Sequence, residues 1–380
     1  MRSSPPSLTV MQVLPELNTG GVERGTADMA SAILQVGGRA VIASAGGRLE
    51  SKLKRLGAEH LSLPLASKNP LTVLRNAMQL ESFIRNRGIE LVHARSRAPA
   101  WSAYRAVKRT GVPFVTTFHG VYAQNSWFKK HYNSVMARGD RVIAISQDIK
   151  KRLIHDYAVP KERIRLIYRG VDSTYFNPAS VTPSEVGHYI DHANLPHNMR
   201  FVVLPGRYTR WKGMHLLVEA MARVQTPDLC ALIVGPSGGQ DGYVFELEKM
   251  IRNYGLENKV LLLGPCENMR ALYALASIVV STSIKPEPFG RVTAESMAMG
   301  RPTLGPDFGG AAEQIVHAES GWLYEPKDAQ SLADYIDYIA RLDEQSLYHV
   351  GARARGRVLE YFSVEQMVQK TLDVYAELLA

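Results

Sequence analysis

A chain of 380 residues is too long for one ordinary core and implies two domains. Its 46% hydrophobic and 21% charged residues exclude a disordered chain, and no apolar run approaches the roughly 18 residues of a spanning helix. The net charge of +9 is uneven: residues 1–175 hold 27 Lys/Arg against 12 Asp/Glu and the remainder 18 against 24, so the first half suits nucleic acid or an anionic membrane unless its cations serve only solubility.

Residues 1–6 contain one Arg followed by polar and Pro residues and lack the apolar core of a signal peptide. Short apolar runs at 8–14, 40–44, 91–93, 114–117, 141–145 and 164–167 predict strands. Helical patterns at 22–36, 71–87, 99–109 and 147–155 lie between them. Residues 126–136, Ser126 to Met136, mix Trp127, Phe128 and Tyr132 with Lys129 and Lys130 at helical length; Trp and Tyr suit a membrane interface and Lys stems snorkel along it. Residues 176–200 hold Pro178, Pro183 and Pro196 with little periodicity and read as a linker with an irregular entry. The plan then repeats, with strands at 201–204, 230–234, 260–263 and 278–281 and helices at 214–224, 243–254 and 269–276. The tail from Asp328 is helical, and 364–379 is amphipathic. Strand–helix alternation of this kind predicts α/β domains with mainly parallel sheets covered on both faces. Cys230 and Cys266 are the only cysteines; they fit a reducing compartment, with one disulfide left open.

The most informative segment is Glu287-Pro288-Phe289-Gly290-Arg291-Val292-Thr293-Ala294-Glu295. Pro288 and Gly290 suit a loop, while 292–299 has helical composition and ends at Gly300. Glu287 therefore falls on a loop and Glu295 one to two turns into a helix. The amides of Gly290, Arg291 and Val292 fall at its N-terminus, where anions are favoured. Two carboxylates to accept from hydroxyls, with amides between them to hold phosphate, suit a nucleotide sugar. Two further loops share that chemistry. Gly20-Gly21 follows the first strand and opens a helix; it is neither the dinucleotide fingerprint nor a P-loop. Gly206-Arg207-Tyr208-Thr209-Arg210-Trp211-Lys212-Gly213 follows the first strand of the second half, and Arg207 and Lys212 suit a diphosphate that gains charge as it leaves. Phe118-His119-Gly120 ends another strand, as does His93-Ala94-Arg95-Ser96-Arg97.

These segments resemble retaining glycosyltransferases of GT-B architecture, in particular glycosyltransferase family 4, over nearly the whole chain. The resemblance implies two Rossmann-like doubly wound domains facing a central cleft. Residues 1–176 would form the acceptor domain, joined by a crossing helix at about 362–380. Residues 177–200 would be the linker and 201–361 the nucleotide-sugar domain. It implies catalytic roles for His119, Glu287, Arg207 and Lys212. Gly20, Gly21, Phe289, Gly290, Arg291, Val292 and Glu295 would bind the donor, Glu295 through the ribose hydroxyls. His119 would contact the donor sugar, and a same-face attack assisted by the leaving phosphate would give retention. Ser146, Lys150 and the Tyr168-Arg169-Gly170-Val171-Asp172 segment also resemble family segments, although Tyr-Arg stands where many members carry Pro-Asn.

The segments at 16–26, 65–70 and 93–101 look closest to bacterial enzymes of lipopolysaccharide-core synthesis. The expected donor is GDP-mannose or a UDP-hexose, and the acceptor a lipid-linked glycan. The expected location is cytoplasmic and peripheral on the inner membrane, against its anionic surface. No D-x-D, H-E-x-x-H or paired C-x-x-C occurs, so neither a metal nor a cofactor is expected. Without a helix-turn-helix, RNA-binding sheet motif or zinc finger, nucleic acid is not an expected partner. A soluble transferase acting on a small sugar or polysaccharide is the alternative.

Overall fold

The structure, a computed structural model, describes residues 8–18, 20–122 and 126–380. Residues 1–6, read above for a signal peptide, and Thr19 lie outside the described residues. The chain divides into two compact units: Met1–Gly170 with Val364–Ala380, and Val171–Ser363.

The first unit holds strands β1 (Thr9–Val13), β2 (Arg39–Ser44), β3 (Glu59–Ser62), β4 (Leu91–Ala94), β5 (Phe114–Phe118), β6 (Arg141–Ala144) and β7 (Ile164–Leu166). They form one parallel sheet in the order β3-β2-β1-β4-β5-β6-β7. The crossovers are α1 (Gly21–Gln35), α2 (Glu50–Arg55), α3 (Pro70–Arg87), α4 (Arg97–Thr110), α5 (Trp127–Ser134) and α6 (Gln147–Tyr157). Every residue of β1 and β4 is buried, as expected of central parallel strands covered on both faces. Local chemistry sets the helix ends. Asn69 accepts from the Leu71 and Thr72 amides ahead of Pro70, and Gly88 closes α3 in the left-handed region.

The second unit opens with α7 (Pro183–His192) and holds β8 (Arg200–Pro205), β9 (Leu229–Val234), β10 (Val260–Leu263), β11 (Ala276–Val280), β12 (Thr303–Pro306) and β13 (Trp322–Tyr324). Its parallel sheet runs β10-β9-β8-β11-β12-β13. Helices α8 (Met214–Met221), α9 (Asp241–Asn253), α10 (Met269–Leu275), α11 (Arg291–Ala298), α12 (Gly309–Gln314), α13 (Ala329–Ala340) and α14 (Glu344–Tyr361) cover it. Leu217, Leu247, Ile278, Leu332 and Ile336 lie in its core.

The last helix, α15 (Val364–Leu379), belongs to the first unit. Val374 and Tyr375 enter the core beside Val10, Met29 and Ile33. The Tyr375 hydroxyl bonds His93 Nδ1 at 2.6 Å, and Glu377 pairs with Arg141 at 2.6 Å and with Arg165.

Several elements differ from the sequence reading. The 176–200 stretch is irregular only at its ends: α7 occupies residues 183–192, nucleated by a capping box in which Thr182 and Glu185 bond each other's amides. Strands β3, β12 and β13 were not expected. Each spans only three or four residues, and β3 is half-exposed along its length, so none leaves a long apolar run. Ala276 begins β11 instead of ending a helix. Cys230 and Cys266 are both free thiols, which closes the disulfide question. Among the described residues no helix is long and apolar enough to cross a membrane.

Candidate active site

In both sheets the strand order reverses beside the first strand, between β1 and β4 and between β8 and β11. The loops after such strands diverge and leave a crevice at the carboxyl edge, where ligands of doubly wound sheets bind. The candidate residues sit on those loops.

In the second unit the loop after β8 carries Arg207 and Lys212, and the loop after β11 carries Ser283 and Glu287. Lys212 Nζ lies 2.7 Å from Glu287 Oε1, with the two side chains only 15% and 14% exposed. Ser283 donates to the same oxygen at 2.5 Å. Thr282 Oγ1 donates to the Lys212 carbonyl at 2.8 Å, and the Ile284 amide to the Trp211 carbonyl at 2.9 Å. Close approach of the two loops thus builds a charged pair in a water-poor corner. Arg207 is exposed and has no ion pair among the described residues.

The segment after Glu287 turns into α11 at Gly290, whose φ is 83°. The first helical bond runs from the Ala294 amide to the Gly290 carbonyl. The amides of Arg291, Val292 and Thr293 therefore have no helical acceptor. The Thr293 hydroxyl is also buried without a partner. Glu295, 6% exposed, follows one turn on. Its Oε1 takes Arg291 Nη2 at 2.5 Å and its Oε2 the Tyr273 hydroxyl at 3.0 Å. Burial first, and the Glu295 charge second, hold the Tyr273 phenol well above its usual range, so it stays a donor.

Phe289 sits differently from the expected ligand position. Its ring is buried and meets Phe362 edge-on, and its carbonyl takes the Gln314 amide. It anchors the loop. Gly309 and Gly310 press on the same loop: the Gly310 amide donates to the Glu287 carbonyl at 2.8 Å. A Cβ on Gly310 would lie 1.8 Å from the Phe289 oxygen, so only glycine lets these backbones meet. Sequence reasoning passed over Ser283, Tyr273, Thr293, Gln314 and Gly309-Gly310. Only the last had a visible signal, a second Gly-Gly pair opening a helix like Gly20-Gly21.

In the first unit Gly20 and Gly21 open α1 after β1, and His119 follows β5. Both His119 ring nitrogens are buried without a hydrogen-bond partner. Burial, then Arg169 and Arg95, push its pKa well down, so the imidazole is neutral. Gly21, Arg95, His119 and Arg169 line one pocket. Ser146 caps α6 through the Ile149 amide, which gives it a structural place. No cluster of three or more His, Cys, Asp or Glu able to hold a metal occurs among the described residues.

Comparison with known proteins accords with this arrangement. The family description "Glycosyltransferase Family 4" matches residues 19–175, and "Glycosyl transferases group 1" matches residues 189–356. A glycosyltransferase of solved structure from Rickettsia africae ESF-5 is 37% identical, over 98% of this chain and 99% of that one, with a TM-score of 0.91. The chain belongs to the GT-B glycosyltransferases, of the group 1 and family 4 type. Among GT-B structures it shares its fold with the Anabaena protein HepE in complex with UDP and glucose. That pair is 24% identical, with a TM-score of 0.82 over 97% of this chain and 100% of that one. The N-acetyl-alpha-D-glucosaminyl L-malate synthase of Bacillus anthracis is 27% identical, over 80% of this chain and 78% of that protein.

Proposed function

We propose that this glycosyltransferase retains configuration and moves a hexose from GDP-mannose or a UDP-hexose to a lipid-linked glycan of the lipopolysaccharide-core kind. The observation that carries the donor assignment is the junction of the Lys212–Glu287–Ser283 cluster with the free amides that open α11. Glu287 accepts from the sugar hydroxyls. The amides of residues 290–292, Arg207 and Lys212 take the diphosphate, where fixed positive charge stabilises the leaving group. Glu295, already oriented by Arg291 and Tyr273, takes the ribose hydroxyls. The leaving phosphate, not a protein carboxylate, assists deprotonation of the acceptor.

The positive charge in this scheme comes from side chains and amides, so transfer is metal-independent. Release of nucleoside diphosphate from GDP-mannose or UDP-glucose tests donor and metal together. One of these donors should turn over, with the same rate in excess EDTA. Activity that returns only with added magnesium or manganese would contradict the scheme, and no turnover of any nucleotide sugar would remove it.

The acceptor reading rests on α5. Trp127 and Phe128 are 71% and 77% exposed, and Lys129 and Lys130 are exposed beside them. Of the residues that an inward-packing helix would cover, Val135 is buried and Tyr132 half-buried, whereas Phe128 stays exposed. Exposed aromatics next to lysines on a basic unit suit peripheral docking at a cytoplasmic anionic leaflet, where each cation contributes about 1 kcal/mol. Vesicles containing anionic lipid should bind the protein at low salt and release it at high salt. Lys129→Glu with Lys130→Glu should weaken that binding at least several-fold and leave nucleotide binding intact. Wild-type protein that ignores such vesicles favours the second reading, transfer to a small soluble acceptor, as the L-malate named for the Bacillus anthracis relative exemplifies.

A further inference from the structure

The pocket of the first unit holds more positive charge than the donor scheme uses. Arg95, at the end of β4, is 4% exposed. Its Nε donates to Gln12 Oε1 at 2.7 Å, while Nη2 is buried with no hydrogen-bond partner. Burial pulls its pKa down, and the Tyr375 hydroxyl and Asp28 act in the opposite sense. Arg169 reaches the same place from the segment after β7: a Cβ built on Gly21 would lie 2.3 Å from its Nη2. The guanidinium therefore rests against the start of α1. There the first helical bond runs from Arg24 to Gly20, which leaves the amides of residues 21–23 without helical acceptors. The Glu23 carboxylate folds back beside Gly20. His119, with both ring nitrogens unpartnered, completes the lining.

A buried guanidinium nitrogen without an acceptor carries a desolvation cost that an incoming anion relieves. Two guanidinium groups beside a neutral imidazole supply donors suited to an oxygen of a phosphate or carboxylate, and the pocket, about 20 Å³, has room for about one such oxygen. The second unit already supplies Arg207, Lys212 and the α11 amides for the donor diphosphate. On the reading above as a glycosyltransferase, we propose that Arg95 and Arg169, in the pocket beside His119, bind an anionic substituent, phosphate or carboxylate, of the acceptor. Arg169 is then a specificity-determining residue: it selects acceptors that bring an oxyanion to the pocket.

The test compares wild type, Arg169→Gln and Arg95→Gln by thermal unfolding with inorganic phosphate, against chloride at equal ionic strength. Affinity for UDP and GDP is measured in parallel by calorimetry. Arg95 is deep in the unit and its variant can lose stability outright; half-buried Arg169 is the variant that decides. Phosphate should raise the melting temperature of wild type, and Arg169→Gln should lose at least half of that rise while its nucleotide affinity changes less than twofold. An equal phosphate response in wild type and Arg169→Gln, or none in either, overturns the proposal. A tenfold loss of nucleotide affinity in Arg169→Gln also overturns it, since the pocket would then serve the donor diphosphate. Failure of wild type to bind any nucleotide would strike the glycosyl-transfer reading itself, whichever way the phosphate arm falls.

Discussion

Replacing Glu287 by Gln, or Lys212 by Ala, should lower turnover by about 100-fold or more, since loss of one preorganised partner of the developing charge costs about 3 kcal/mol. Both side chains are largely buried against each other at 2.7 Å, and this sharpens the expectation. Glu287→Gln keeps an oxygen for Ser283 and Lys212 but removes the counter-charge of Lys212, so it should fold with some loss of stability. Lys212→Ala leaves the carboxylate with Ser283 alone and should also lower stability. Because the two act as one unit, the double variant should lose about as much activity as either single change. Purified single variants with near-normal turnover would contradict the roles assigned here. So would a double variant whose losses multiply.

The second large effect is expected at Gly213, next to Lys212. Its φ is 68°, and a Cβ there would lie 1.9 Å from the Thr282 carbonyl oxygen. Backbone meets backbone at this point, so no side chain can move aside. The left-handed penalty and the overpacking together predict a loss of about 2–4 kcal/mol for Gly213→Ala. Turnover should fall with it, because the clash separates the loops that pair Lys212 with Glu287. Gly255→Ala is the control. Its φ is 64° but a Cβ would meet nothing within 4 Å, so only the conformational cost of about 1–2 kcal/mol applies. Urea unfolding midpoints and turnover check the contrast. Equal midpoints for the two variants, with wild-type activity in Gly213→Ala, would refute the argument.

The alternation of strands and helices was legible because central parallel strands are buried on both faces and read as unbroken apolar runs, as in β9, buried throughout. Glu59–Ser62 was not, since an edge strand half-exposed along its length carries no such run. α7 carried a readable signal in Thr182 and Glu185 that its surrounding prolines masked. At the site, loop chemistry pointed to Lys212, Glu287 and Glu295 separately. Their partners were not legible. Lys212 and Glu287 are 75 positions apart, Tyr273 and Glu295 are 22 apart, and nothing local encodes either contact. Arg95 and Arg169 follow different strands, β4 and β7, and only the fold of the first unit brings both to the Gly21 pocket.

The most direct test of the central claim, a nucleoside-diphosphate-sugar site built on Lys212, Glu287 and Glu295, is nucleotide binding by the whole chain. Wild type is melted with UDP, GDP and ADP and their sugars, alongside Glu295→Gln. One nucleoside diphosphate should stabilise wild type by about 2.7 kcal/mol at 100 times its dissociation constant. Glu295→Gln should lose most of that gain at the same concentration while melting near wild type without ligand. No stabilisation of wild type by any nucleotide, or an equal gain in Glu295→Gln, would contradict the account.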